Sequence, residues 1–228
     1  MFNDFLSLIF PQVCYACGRS LLKKENCICL HCFYNLPKTD FHLKKDNPVT
    51  KLFWGRTNVQ SAASLYEFNE GGKVQNLIHH LKYKGKKEIG LSLGRYYGHL
   101  LKTSSIFSCI NVIVPVPLHK KTLKKRGYNQ SEYFAKGIGE AMEIEIIDNV
   151  LIKTATSSSQ TKKSRFNRWR NVQDIFTLSS PEKLKGKHIL LVDDVVTTGS
   201  TIDACTQQLL SITDVKVSAV TIAAALIH

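Results

Sequence analysis

The amino-acid sequence predicts an α/β fold: a doubly wound, mostly parallel sheet preceded by a small cysteine-rich module. Segments with strand and helix patterns alternate along most of the chain, which is typical of parallel sheets with helices on both faces. An apolar run at residues 189–192 leads directly into two acidic residues and a loop rich in hydroxyl groups. Five of the seven cysteines lie between Cys14 and Cys32. The last two observations also indicate where the functional sites lie.

Length and composition are those of one ordinary globular domain with a small appendage. The chain has 228 residues, of which 43% are hydrophobic and 21% are charged. We predict that residues 1–50 hold an amphipathic helix, the cysteine module and a linker, and that residues 51–228 form the α/β domain. The net charge of +13 indicates an anionic partner, namely a phosphorylated metabolite, a nucleic acid or an acidic membrane surface.

The opening segment is predicted to be a short amphipathic helix, because Phe2, Phe5, Leu6 and Ile9 recur at helical spacing. It lacks the basic start and the cleavage site of a signal peptide, and it is too short to span a bilayer. No other stretch is long enough, so we predict no transmembrane segment. Packing of this helix on its own domain is favoured over membrane attachment.

The remaining elements follow from local patterns. Strands are assigned from runs of β-branched and aromatic residues, and helices from apolar residues three and four positions apart. Residues 38–58 are polar and irregular and are predicted to be a connection. After it we predict, in chain order, strand 61–68, helices 73–82 and 88–101, strand 111–117, helix 131–142, strand 146–152, a polar stretch to residue 171, strand 175–178, the strand beginning at 189, helix 201–210 and strand 215–224.

Two Cys-x-x-Cys pairs predict a structural zinc site. Two residues between paired thiolates let both sulfurs reach one ion from a tight turn, and four thiolates complete a closed tetrahedral shell. The predicted ligands are Cys14, Cys17, Cys29 and Cys32. Cys27 and His31 are near enough to be alternative ligands, and a set of reduced, buried or redox cysteines is the competing interpretation. Cys109 and Cys205 lie in apolar surroundings and are predicted to be inert core thiols.

The strand beginning at residue 189 ends in a predicted site for a phosphorylated sugar. Ligands bind at the carboxyl ends of strands in open α/β sheets. The acidic pair, Asp193 and Asp194, repels phosphate but suits ribose hydroxyls or a metal. The next residues offer backbone N–H groups and hydroxyls at a helix start, which suits a phosphate; they are Thr197, Thr198, Gly199, Ser200 and Thr201. The competing interpretation is a buried strand with an acidic turn and an N-capped helix.

Two further segments are predicted to hold a polyphosphate. In the first, the strand 111–117 ends and a basic loop leads into a helix, an arrangement that can hold a pyrophosphate. Its candidate residues are Pro117, Leu118, His119, Arg126, Tyr128, Asn129 and Gln130. The second is the long polar segment 154–171, which contains Arg168. Long loops of this kind are often lids, and a basic lid closes over a polyphosphate and excludes water.

These patterns together resemble the ComF family, known as ComFC or GntX-like competence proteins, within the type I phosphoribosyltransferase superfamily. The resemblance rests on the two Cys-x-x-Cys pairs, Leu-Lys-Tyr at 81–83, residues 114–119, Arg-Gly-Tyr-Asn-Gln at 126–130, Gln160 with Arg168 and Asn171, and residues 189–201. It implies that the chain binds 5-phosphoribosyl 1-pyrophosphate (PRPP) with Mg²⁺. It further implies that Asp193 and Asp194 act as the catalytic pair on the ribose hydroxyls and that residues 197–201 wrap the 5′-phosphate.

The resemblance also implies a cellular role. The family is implicated in natural transformation, where it handles incoming single-stranded DNA at the cytoplasmic side of the inner membrane. The chain is therefore expected to be cytoplasmic, at the inner face of that membrane, with single-stranded DNA and a DNA-translocating helicase as partners. Three acid-free basic runs, 82–87, 120–126 and 162–170, have aromatic residues among or beside them, as grooves for single strands do.

Two departures from the wider superfamily bear on the acceptor. Enzymes that salvage 6-oxopurines carry an acid at the position of Thr197, and threonine cannot exchange protons with a purine at neutral pH. The chain ends at His228, just after the last predicted strand, so the acceptor is expected to contact the amino-terminal half, up to about Leu101. Three functions stay open: a phosphoribosyltransferase, a PRPP-sensing DNA-binding module, and an adaptor that docks on a helicase.

Overall fold

A parallel four-stranded sheet forms the centre of the structure, a computed structural model that describes residues 12–154 and 175–226. The strands are β1 (Val59–Glu67), β2 (Val112–Pro115), β3 (Leu151–Lys153), β4 (Phe176–Leu178), β5 (His188–Val196) and β6 (Lys216–Ala224). The sheet has the order β1-β6-β5-β2, while β3 and β4 form a separate antiparallel pair. The predicted parallel sheet is confirmed.

Among the described residues, two α-helices precede β1 in the chain and the others lie between strands. They are α1 (Leu30–Asn35), α2 (Pro48–Lys51), α3 (Lys73–Tyr83), α4 (Glu88–Thr103), α5 (Lys120–Arg126), α6 (Gln130–Met142) and α7 (Ser200–Leu210). Helices α3, α4, α6 and α7 agree with the predicted helices within two residues at each end. The predicted helix over residues 2–10 and nearly all of the predicted lid lie outside the described residues. No helix of the described segments has both the length and the apolar character needed to cross a bilayer.

The sheet buries both of its faces, which makes the fold doubly wound. Along β5, Leu190 and Val192 belong to the core under α3, α4 and α6, whereas Ile189 and Leu191 belong to the core under α7 and the β3–β4 pair. Alternate side chains of a strand point to opposite faces, so an unbroken apolar run is the pattern required of a central strand. Because β5 is a central strand, its carboxyl end lies in the middle of the carboxyl edge of the sheet, where the parallel strands end.

Helices α4 and α6 pack at very short range. A Cβ atom added to Gly94 would lie 2.3 Å from the carbonyl oxygen of Phe134, and one added to Gly137 would lie 2.3 Å from that of Leu91. Neither position can hold a larger side chain without moving a helix backbone. This contact fixes the position of α6, and with it the amino-terminal residues that reach the carboxyl edge of the sheet.

The predicted strand 146–152 is wrong as a single element. Ile146 forms an isolated parallel bridge with Ile113 at the outer edge of β2, and Leu151 begins the separate strand β3. Asp148 and Asn149 lie between the two. Both residue types favour turns because their side chains hydrogen-bond nearby backbone groups. The chain therefore leaves the edge of the sheet after a short extended segment.

Two predicted irregular segments contain helices. The predicted basic loop after β2 forms helix α5, because His119 caps its start by accepting a hydrogen bond from the backbone N–H of Lys121, and Gly127 ends it with a φ of +83°. Lys, Leu and Arg, which fill most of this helix, are good helix formers. The predicted connection 38–58 contains a 3₁₀ turn and α2, and Phe53 within it is fully buried.

The cysteine module packs directly on the α/β domain. Cys14 and Cys32 belong to the same buried cluster as Leu77 and Ile89, and the side-chain amide of Asn76 in α3 donates to the carbonyl oxygen of Ala16 at 3.0 Å. The division at residue 50 stays a prediction. The prediction that Cys109 is a core thiol is wrong, because Cys109 is exposed in the turn before β2, whereas Cys205 is buried as predicted.

Candidate functional site

The acidic pair lies at the carboxyl end of β5, and its two members have different partners. Asp193 Oδ1 accepts hydrogen bonds from Ser131 Oγ at 2.9 Å and from the backbone N–H of Asp194 at 2.8 Å. Asp194 Oδ1 forms an ion pair with Lys82 Nζ at 2.9 Å, and its Oδ2 is buried with no hydrogen-bond partner. Burial, followed by the negative charge of Asp194, raises the pKa of Asp193 to about 7.

The loop after the pair forms a small polar cavity at the start of α7. Gly199 adopts a φ of +76° and precedes the helix, and no side chain caps the first turn. The hydroxyls of Thr198 and Ser200 lie 2.8 Å apart. The cavity measures about 50 Å³ and is lined by Asp193 and residues 195–202. Uncapped N–H groups and the positive end of the helix dipole favour an anion there.

The segment before β1 supports this loop. The sequence did not predict this support. Arg56 donates from Nη1 to the carbonyl oxygen of Thr198 at 2.7 Å, and its Nη2 lies 2.8 Å from Asp203 Oδ2 in α7. A Cβ atom added to Gly199 would lie 2.9 Å from the ring of Phe53. Phe53 and Arg56 therefore hold the hydroxyl-rich loop and the first turns of α7 in place.

The exit of β2 lies beside the acidic pair. The backbone N–H of Val116 donates to the carbonyl oxygen of Val192 at 2.8 Å, one residue before the pair on β5. Pro117, Leu118 and His119 follow at this edge and are half-buried. Three of the predicted polyphosphate residues are thus brought to the carboxyl edge that also holds the acidic pair.

The segment Arg-Gly-Tyr-Asn-Gln connects three elements around this edge. The Asn129 amide donates to the carbonyl oxygen of Val116 at 3.0 Å, and its Oδ1 accepts from the backbone N–H of Ser131. The Tyr128 hydroxyl donates to the carbonyl oxygen of Leu81 in α3. Two of the predicted ligand residues therefore use polar groups to hold the exit of β2, the start of α6 and the end of α3 together.

A basic groove opens between the end of α3 and α5. Its volume is about 440 Å³, and its lining residues are Lys82, Tyr83, Gly85, Lys121, Thr122, Lys125 and Arg126. No acidic residue lines it. The ring of Tyr83 is 67% exposed, with the Arg126 guanidinium 5.6 Å from its centre. Lys82 connects the groove to the acidic pair through Asp194.

A row of rings extends from this groove towards the cysteine module. The ring centres of Tyr83 and His79 are 5.2 Å apart, those of His79 and His80 are 6.2 Å apart, and those of His80 and Tyr15 are 5.1 Å apart. Lys86 Nζ lies 5.1 Å from the Tyr15 ring centre. Tyr83 and His79 are exposed, and Tyr15 and His80 are half-buried. We call these four residues the aromatic row.

The four predicted zinc ligands come together in the cysteine module. The sulfur atoms of Cys14, Cys17, Cys29 and Cys32 all lie within 4.8 Å of one another. Cys17 Sγ and Cys29 Sγ are 3.8 Å apart, and a tetrahedral zinc with bonds of about 2.3 Å separates its sulfurs by about 3.8 Å. Burial raises the pKa of the Cys29 and Cys32 thiols, so thiolates at these positions need a nearby cation. Neither Cys27 nor His31 belongs to the cluster.

Two predicted arginines remain to be placed, and three residues of the site were not predicted. Arg126 donates to Gln130 Oε1 and borders the basic groove, whereas Arg168 lies outside the described residues. Sequence reasoning missed Ser131, Lys82 and Arg56 as members of the site. Lys82 had a signal, its place within Leu-Lys-Tyr, and Ser131 directly follows Gln130. Arg56 had none, because its partners lie more than 140 positions away.

Comparisons with known proteins show which proteins this chain resembles. The phosphoribosyl transferase domain family matches residues 129–227. The DNA utilization protein YhgH of Salmonella typhimurium is 31% identical over 208 residues, which are 90% of this chain and 87% of that protein. YhgH of Escherichia coli is 28% identical over 202 residues, 87% of this chain and 84% of that protein. The competence protein ComFC of Bacillus subtilis is 26% identical over 202 residues, 84% of this chain and 75% of that protein.

Proposed function

Because this chain belongs to the ComF family of phosphoribosyltransferase-like proteins, we propose that it binds PRPP with Mg²⁺ and acts in the uptake or use of DNA. The observation that most supports PRPP binding is the carboxyl end of β5, where an acidic pair lies next to an uncapped helix start. The free Asp194 Oδ2 supports it most directly, because a buried carboxylate oxygen without a partner is unfavourable until a donor arrives. A ribose hydroxyl is such a donor.

The proposed roles follow from the negative charge of the acidic pair and from the hydrogen-bond donors of the hydroxyl-rich loop. Asp193 and Asp194 accept hydrogen bonds from the ribose 2′ and 3′ hydroxyls, and their negative charge stabilises the positive charge that develops on the sugar as pyrophosphate leaves. Residues 197–201 hold the 5′-phosphate through backbone N–H groups and hydroxyls. Residues 117–119 and the basic groove receive the pyrophosphate. Lys82 orients Asp194 from the groove side.

The donor set at this edge fits the magnesium ion that accompanies PRPP. Carboxylate and hydroxyl oxygens are the protein ligands Mg²⁺ prefers, usually together with substrate phosphates. When bound, the ion neutralises part of the pyrophosphate charge. In the cysteine module the four thiols fit a structural zinc, since a four-sulfur shell leaves no open position for catalysis.

The PRPP proposal is tested by isothermal titration of the protein with PRPP, with and without Mg²⁺. Changing Asp194→Asn should weaken binding roughly 10- to 100-fold, because a hydrogen bond to a charged group contributes about 1.5–3 kcal/mol. The exposed Asp148→Asn change is the matched control and should leave affinity unchanged. Equal affinity in both variants would place PRPP elsewhere or exclude it. Pyrophosphate release in a screen of acceptors then separates an enzyme from a PRPP-sensing module.

A second function, binding of single-stranded DNA, is favoured by the basic groove and the aromatic row. The cations that line the groove attract a phosphate backbone, and the exposed rings of Tyr83 and His79 let bases stack without sequence preference. Fluorescent oligonucleotides titrated at two salt concentrations test this. Affinity should fall as salt rises, with a slope of roughly −0.7 per phosphate neutralised. No binding even at low salt would favour the third function, an adaptor docked on a helicase.

A further inference from the structure

Cys109, His188 and Ser218 form a chain of polar contacts outside the site described above. Cys109 Sγ lies 3.3 Å from His188 Nδ1, and His188 Nε2 lies 2.9 Å from Ser218 Oγ. Cys109 is exposed, whereas Ser218 is fully buried in β6. All seven cysteines lie within the described residues, and Cys109 is the exposed one; the others are buried or belong to the four-sulfur cluster.

The backbone fixes this arrangement on both sides. The Asn111 N–H donates to the carbonyl oxygen of His188 at 2.9 Å, and the His188 N–H donates to Asn111 Oδ1 at 2.8 Å. Phe107 and Ile110, on either side of Cys109 in the chain, are buried. The turn that carries the thiol is therefore fastened to the first residue of β5. The short distance between sulfur and imidazole is a property of the fold rather than of one mobile side chain.

The imidazole of His188 is in its neutral form, which leaves Nδ1 able to accept a hydrogen bond from the Cys109 thiol. Burial, followed by the positive charge of Lys216, lowers the pKa of His188, so the ring is neutral at neutral pH. Lys216 lies opposite His188 in the β5–β6 register. The ring contacts Cys109 from the turn before β2 and Ser218 from β6, and the charge of Lys216 in β6 acts on it.

We propose that Cys109 is a reactive thiol, activated by His188 and modified by low-molecular-weight disulfides. His188 Nδ1 takes the proton of Cys109, and the thiolate attacks one sulfur of the disulfide. The new sulfur–sulfur bond forms as the old one breaks, and the departing thiolate takes the proton from His188. Cys109 is oxidised to a mixed disulfide, and the other half of the reagent is reduced to a thiol.

This site is separate from the proposed PRPP site. His188 begins β5 and Asp193 follows five residues later, which corresponds to about 17 Å along an extended strand. The inference therefore goes beyond the proposed function, and each can fail alone. Changing Cys109→Ser should leave PRPP affinity unchanged while abolishing the modification.

The first test uses the unaltered full chain loaded with zinc. Its alkylation by iodoacetamide is followed over time at pH 7, with peptide mapping to identify each labelled cysteine. Cys109 should be labelled before the other cysteines and faster than free cysteine in the same buffer. Preferential labelling of Cys17, or a Cys109 rate at or below that of free cysteine, would overturn the proposal.

The second test incubates the protein with glutathione disulfide and measures intact mass and reversal by a reducing agent. Changing His188→Gln should slow formation of the mixed disulfide by about ten-fold or more, since it removes the proton acceptor. The exposed His99→Gln change is the control and should have no effect. An unchanged rate in a folded His188→Gln variant would overturn the proposal. If that variant unfolds, the labelling rate of Cys109 in the unaltered protein decides alone.

Discussion

Asp193 and Asp194 are neighbours on one strand, yet their side chains meet different parts of the fold. Asp193 accepts from Ser131 at the start of α6, while Asp194 pairs with Lys82 near the end of α3. The two carboxylates therefore have different properties although their sequence contexts are nearly the same. Burial raises the pKa of Asp193 to about 7, whereas Asp194 keeps a buried oxygen without a hydrogen-bond partner.

The raised pKa of Asp193 predicts how stability depends on pH. The folded protein holds the proton of this carboxyl up to about pH 7, whereas the unfolded chain releases it near pH 3.8. Between these values the folded state binds more protons, so the free energy of unfolding should fall as pH rises. Asp193→Asn removes this contribution. Thermal unfolding at pH 5 and pH 8 should therefore show a smaller loss of stability in Asp193→Asn than in the unaltered protein. Equal losses would contradict the prediction.

At the scale of elements, the hydroxyl-rich loop depends on a segment far away in the sequence. Asn47 caps α2 by accepting from the backbone N–H groups of Val49 and Thr50, and its amide donates to the carbonyl oxygen of Ala62 in β1. The segment 47–58 is thus fastened to the edge strand of the sheet. Its far end delivers Arg56 to the loop, so this supposed connection positions part of the candidate site.

Arg56→Ala should weaken PRPP binding without unfolding the protein. The change removes the donor to Thr198 and the ion pair with Asp203. Because the Arg56 side chain is 36% exposed, solvent screens the pair and the loss should be only about 1 kcal/mol, or roughly five-fold in affinity. Arg95→Ala, which breaks the exposed pair with Glu140, is the control. A titration in which both variants bind PRPP equally well would show that Arg56 does not position the loop.

The cysteine module should depend on zinc for its fold. Replacing Cys14→Ser or Cys29→Ser removes one of four ligands, so zinc content should fall from one ion per chain and the module should lose stability, because metal binding and folding are coupled. Cys109→Ser, outside the cluster, is the control and should keep the ion. Elemental analysis of purified protein checks the metal content. A zinc-free protein with unchanged thermal unfolding would contradict the prediction.

Local patterns in the sequence predicted the helices and strands whose apolar periodicity can be recognised within a few residues. The four strands of the sheet and the longer helices were found because apolar periodicity fixes their buried faces. Helix α5 was missed because its side chains are mostly charged and its existence depends on a cap at His119 and a left-handed Gly127. The acidic pair and the four clustered cysteines were predicted from local motifs, whereas Arg56 was not, since tertiary packing alone brings it to the loop.

At the scale of the whole molecule, part of the excess positive charge lines the basic groove beside the candidate site. The chain carries 31 Lys and Arg residues against 18 Asp and Glu. In the described part of the chain, no carboxylate forms an ion pair with Lys121, Lys125 or Arg126 of the basic groove. Unpaired cations lining a groove raise the local concentration of anions. PRPP and a DNA backbone would therefore compete for the same charges.

Reversing charge in the groove should show whether DNA binding depends on the groove or only on the net charge of the protein. The double change Lys121→Glu and Lys125→Glu should reduce affinity for single-stranded DNA and make the slope of log affinity against log salt shallower by roughly 1.4, since each lost phosphate contact contributes about 0.7. The matched control is Lys183→Glu with Lys185→Glu, an equal change in net charge at exposed positions outside the groove. Fluorescence titration at several salt concentrations, with and without PRPP, measures both effects. If the control lowers affinity and slope as much as the groove variant, net charge rather than the groove governs binding. The proposal that the basic groove binds DNA is then wrong.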